Sequence, residues 1–201
     1  MLKPRTFFYA ALTLAAALTL SSCAEGTPAT EATTAAMAES SADSAAVFND
    51  VDVTFAQMMI PHHEQAVEMS DDLLAKDGVD QSVIDLATEI KAAQEPEITQ
   101  LKDWLSAWGE DDNSMSGMPG MGSGSDGLMS DDDMMALQSA SGADATKLFL
   151  EQMTVHHEGA VAMAQLELDA GENAGAQEMA AGIVTSQTAE IAAMAELLAA
   201  L

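Results

Sequence analysis

Two hundred and one residues suffice for one domain with a real core, or for two very small ones. The formal charge is −27, from 33 acids against 6 bases, and this excludes nucleic-acid binding, which needs basic side chains to replace phosphate counterions. A single Cys excludes a disulfide framework and any Cys-built zinc or iron–sulfur site within one chain, so the 4 His are the only imidazole ligands on offer, alongside 15 Met.

Lys3 and Arg5 precede a mostly apolar run from Phe7 to Leu20. That run is shorter than the roughly 20 residues a spanning helix needs, so residues 1–22 read as an export signal. It closes on Leu20-Ser21-Ser22-Cys23, which resembles the bacterial lipobox, where Cys becomes the first mature residue and carries lipid. This predicts an extracytoplasmic protein lipid-anchored to the bacterial cell membrane through Cys23, and it accounts for a lone thiol in an oxidising compartment. Cleavage removes Lys3 and Arg5 and leaves 4 bases against 33 acids, a charge of −29. Residues 23–46 are small, polar and acidic, with almost nothing to bury, and read as a flexible tether. So acidic a surface repels anionic lipid, which leaves attachment to the acyl chains.

The domain proper is expected over residues 47–201, as two copies of one unit. Phe55, Met59, His62, His63, Glu64, Ala66, Val67 and Met69 recur 94 positions later as Phe149, Met153, His156, His157, Glu158, Ala160, Val161 and Met163. Ile90, Gln94, Glu97, Ile98 and Leu105 recur 93 positions later as Ile183, Gln187, Glu190, Ile191 and Leu198. Each unit reads as a helical hairpin. In the first, 48–108, a helix runs from Phe48 to Ala75 and stops at Gly78, and a second begins near Asp80. Pro61 and Pro96 lie inside them and should kink them. A Gly-, Ser- and Asp-rich linker spans 109–130. In the second hairpin, 131–201, Ser130 to Asp133 form a capping box for a short helix, and long helices follow from Asp144 to Ala170 and from Asn173 to the C-terminus. The predicted fold is all-α, a four-helix bundle; up-down-up-down and ferritin-like crossover connections both fit the linker.

All four histidines fall in the two HH pairs, near the middle of their helices. Adjacent helical residues point about 100° apart, so each pair straddles the inward stripe marked by Phe55, Met59, Ala66 and Leu73. The expectation is that all four rings converge at one depth, each leaning to the core with a nitrogen at its rim. Met59 lies one turn before His62 and His63, and Met153 stands likewise to His156 and His157; Met69 and Met163 follow on the other side. Di-iron bundles use Glu-x-x-His, whereas here the pattern is Met-x-x-His, twice, and thioethers suit Cu(I) or Ag(I) better than iron. The plainer reading is that Met fills the core and His satisfies buried polar groups. Two HH pairs in register, each with its own Met, favour ligation. Glu64 and Glu158 are candidates to orient the imidazoles, with a solvated helix face as the alternative. In the linker, Met115, Met118 and Met121 recur every three residues where there is no core to fill, and are expected to collect copper.

With its lipobox, Met-rich linker, paired HHE segments and the stretch FL..M..HHEGAVAMA, the sequence over 47–201 resembles the bacterial family catalogued as domain of unknown function 305. The resemblance implies a ferritin-like fold, export, and copper or silver binding through the HH pairs and neighbouring Met. Gln152 stands where the first repeat has Met58, which makes Met58 a weaker ligand candidate than Met59. The expected function is a lipid-anchored copper-binding protein that sequesters or hands over Cu(I), with Cu(II) and Ag(I) as further cargo. No nucleophile–base pair or phosphate loop is evident, so binding rather than turnover is expected. Two rivals remain at this stage: a copper-dependent oxidase bundle, and a metal-free interaction module of the envelope.

Overall fold

The structure, a computed structural model, describes residues 47–112 and 127–201. Among the described residues it is all-helical, with α1 at Asp50–Leu74, α2 at Gln81–Trp108, a short α3 at Asp131–Ser139, α4 at Gly142–Ala170 and α5 at Ala174–Ala200. The predicted signal, the predicted tether and most of the predicted linker, with Cys23, Met115, Met118 and Met121, lie outside the described residues.

Helix boundaries follow local chemistry. Asn49 caps α1 by accepting from the Val51 and Asp52 amides, and Asp52 returns the bond to the Asn49 amide at 2.6 Å. Such a reciprocal box satisfies amides that have no partner inside the helix. Asp80 caps α2, which ends at Gly109 in the left-handed region with φ 78°, a conformation only glycine adopts without strain. The predicted box at Ser130 and Asp133 opens α3, and Asn173 caps α5. Both α1 and α2 continue as helix through Pro61 and Pro96.

Within each half the helices pack along one another, α1 with α2 and α4 with α5. The halves meet through α1 and α4, whereas α2 and α5 scarcely touch. The helices α1 and α4 run antiparallel. At one end the Asn49 side-chain amide donates to the Ala170 carbonyl at 2.9 Å, and Asp52 accepts from the amides of Glu172 and Asn173. At the other, the Asp80 amide reaches the Thr146 hydroxyl at 3.4 Å.

Two apolar clusters fill the interior. One holds Phe55, Met59, Ile60, Leu101, Leu105 and Met163; the other holds Met69, Leu73, Leu86, Phe149, Met153 and Met194. Burying each such side chain stabilises the fold by about 1.5–3 kcal/mol. Phe48 stacks on Trp108 at 4.9 Å, fixing the chain against the end of α2 as it enters α1.

Candidate metal centre

The four histidines sit where the clusters meet, on the facing sides of α1 and α4. All are buried, none more than 1% exposed. No ring nitrogen therefore faces solvent. His62 and His156 contact across the α1–α4 seam, with centroids 3.7 Å apart and planes tilted by 37°. The His157 ring lies 6.4 Å from that of His156.

His63 and His157 instead turn back into their own halves. His63 Nε2 lies 2.7 Å from Glu97 Oε2 on α2, and His157 Nε2 lies 2.6 Å from Glu190 Oε2 on α5. An ionised carboxylate only accepts, so a neutral ring places its proton on Nε2 and leaves a bare lone pair on Nδ1. In both residues Nδ1 is buried and makes no hydrogen bond among the described residues. A buried nitrogen without a partner is costly, and one that is also held by a carboxylate on the far side of its ring has the arrangement of a metal-ligating histidine. On this ground the residues fit a metal ion.

The carboxylates that orient the rings are Glu97 and Glu190, not Glu64 and Glu158. Glu64 is exposed and pairs with Lys102 at 2.6 Å, and Glu158 is exposed. Sequence reasoning missed this pair although the signal was available: both glutamates recur in the repeat alongside the histidines they hold. Gln94 and Gln187, one turn before them on α2 and α5, are buried. Burial holds His156 well below the usual imidazole pKa, reinforced by the charge that His62, His157 and His63 would carry. The ring that faces His62 is thus kept neutral, the form that can ligate.

Of the predicted sulfur ligands, Met59, Met69 and Met153 are fully buried and Met163 is 7% exposed. Because α1 and α4 are antiparallel, Met59 shares a cluster with Met163, and Met69 shares the other with Met153, one pair on each side of the histidine layer. Met194 is buried 3.8 Å from the Thr154 hydroxyl, which donates to the Leu150 carbonyl at 2.7 Å. Among the described residues, no three His, Cys, Asp or Glu side chains stand together as a metal site.

The linker's two ends are tied to α1 on either side of this layer. The Gln57 side chain donates to the Asp111 carbonyl at 2.9 Å, and Gln65 exchanges two bonds with the Met129 backbone, at 2.9 and 2.7 Å. Gly127, with φ 80°, presses on the α4 backbone so closely that a Cβ would come within 2.8 Å of Gly159 Cα and of the Val155 carbonyl. Only glycine permits that approach.

Comparison with known proteins bears on this arrangement. No curated protein matches the sequence. Among solved structures, a DUF305 protein of Streptomyces coelicolor named as secreted is 35% identical with a TM-score of 0.67, over 74% of this chain and 91% of its own. A DUF305 fragment from Deinococcus radiodurans is 30% identical with a TM-score of 0.67, over 76% of this chain and 98% of its own. CopM in its Cu(II)-bound form is 31% identical with a TM-score of 0.62, over 73% of this chain and 95% of its own, and CopM is also known in Cu(I)-bound, Ag-bound and apo forms. The family described as domain of unknown function (DUF305) matches residues 52–198, and this chain is a member of it.

Proposed function

We propose that this protein is an extracytoplasmic copper-binding protein, lipid-anchored through Cys23, that sequesters or transfers Cu(I) and also accepts Cu(II) and Ag(I). His62, His63, His156 and His157 form the central nitrogen set. Met59, Met69, Met153 and Met163 supply thioethers, and Met115, Met118 and Met121 serve as accessory collectors. We read the four long helices as a ferritin-like four-helix bundle of two repeated hairpins, and the protein's role as binding without turnover. CopM, about 30% identical, has been solved with copper and with silver bound, which supports the choice of cargo.

One observation carries the reading: in each half a buried histidine is held at Nε2 by a carboxylate while its Nδ1 is left bare. Burial disfavours a hydrated hard cation, and the sulfur pairs above and below favour an ion of soft character. The test is metal analysis and Cu(I) titration against a competing chelator, for the mature protein and a variant lacking all four histidines. Loss of copper bound by the domain on removing the histidines is the expected result. Unchanged stoichiometry and affinity would reduce the histidines to structural polar groups.

A further inference from the structure

The rings of the central site have no exposed surface, so a cation has to reach them through the protein. A cavity of about 370 Å³ opens between the first turns of α1 and the last turns of α4. Val51, Phe55, Leu166 and Ala170 give it apolar walls; Met58, Met163 and Glu167 also line it. Its rim faces water, with Leu166 66% exposed, and its floor reaches the interior, where Phe55, Met163 and Glu167 are buried. Methionines that merely fill a core leave no hole beside them. Here the space is many times the roughly 30 Å³ that a water molecule occupies in the liquid.

An apolar hollow with two thioethers suits a weakly hydrated cation that bonds strongly to sulfur and excludes one that must keep its water. The buried Glu167 carboxyl supplies an oxygen at the floor. Met163 also belongs to the packed cluster that contains Met59, which precedes His62 by one turn of α1, so the cavity and the histidines adjoin the same cluster. We propose that this cavity is a second soft-cation site, in which Met58 and Met163 take up monovalent copper or silver from solvent and pass it inward to the histidines. The ion moves between ligands without change of oxidation state. The proposal rests on the metal-binding reading above, and adds Met58 to the ligands.

Silver titrated into the protein labelled with both [methyl-13C]methionine and 13C-histidine tests it, because Ag(I) is diamagnetic and redox-stable. The methyl signals of Met58 and Met163, assigned with M58L and M163L, are expected to move together. They should do so also when all four histidines are replaced. In the M58L/M163L double variant, loading of the histidines followed by stopped flow should slow at least tenfold. Leucine conserves volume closely enough to preserve the fold. If the histidine signals respond while Met58 and Met163 stay still, or if their shifts vanish with the histidines, the cavity is no site and the central reading stands. If neither histidine nor methionine signals respond, both fall.

Discussion

Replacing Glu97 by alanine removes the acceptor from a ring nitrogen that water cannot reach. His63 is fully buried, and its Nε2 has Glu97 as partner at 2.7 Å. An orphaned buried donor costs about 1–3 kcal/mol. Because the Glu97 side chain is 27% exposed, water can follow it into the gap, which places the cost in the lower part of that range. For a domain of this size the loss corresponds to a fall in Tm of roughly 2–8 °C. On the proposed metal-binding reading, the effect on metal affinity is larger. Without the carboxylate the ring loses basicity and is free to exchange tautomers, and such losses typically weaken metal affinity about 10–100-fold. Glutamine retains a carbonyl acceptor, so E97Q should recover most of the stability and only part of the affinity. Glu190 holds His157 in the same way, and E190A should reproduce both effects. Circular dichroism melting of the apoprotein and chelator competition for Cu(I) measure the two quantities. An E97A protein with wild-type melting and wild-type affinity would refute the claim that this carboxylate prepares the ligand.

Further outcomes follow from the same structure. Gly171→Ala places a Cβ 2.1 Å from Glu167 Oε1 and 2.5 Å from its Cδ, so it should destabilise by about 1–3 kcal/mol. Gly182→Ala, whose Cβ meets nothing within 4 Å in the middle of α5, should stabilise by about 0.5–1 kcal/mol; urea unfolding of the two variants is the check. Glu167 is raised to about 8 by burial and by the neighbouring Asp52 carboxylate. Burial pushes Asp52 upward too, but the amides of Asn49, Asn173 and Glu172 and the Glu167 carboxyl hold it below its ordinary value. The folded protein therefore keeps the Glu167 proton over a pH range where the unfolded chain has lost it. That contribution is fully present below about 4.5 and is lost as pH rises through about 8. E167Q should match wild type at acidic pH and become progressively the more stable protein up to pH 8, as denaturant titrations across that range would show. Gln65→Ala removes both bonds to the Met129 backbone, and hydrogen exchange at the Met129 amide should accelerate at least tenfold while the core of α1 keeps its protection.

Much of this molecule is legible in its sequence because its signals are local. Caps at Asp80, Ser130 and Asn173, and the glycine at 109, place helix ends to within about two residues. The central position of both HH pairs marks them for burial. What was not legible depends on which helix lies opposite. Glu97 and Glu190 stand 34 and 33 residues from their histidines, on the second helix of each half, so proximity in sequence pointed to Glu64 and Glu158 instead. The methionine grouping follows from the antiparallel α1–α4 crossing, which exchanges partners: Met59 goes with Met163, although its nearest histidines in sequence are its own. A fully enclosed histidine layer likewise depends on how closely two helices approach, which hydrophobic spacing along one of them does not specify.

The seam between α1 and α4 has one more consequence. Each half closes its own histidine–glutamate pair, and the ring contact between His62 and His156 forms where the halves dock. Severing the polypeptide between residues 113 and 126 leaves both partnerships whole, so the two fragments, produced apart, should reassemble into a working pair. On the proposed reading, such a split protein would report copper by complementation, its association strengthening when an ion bridges the join.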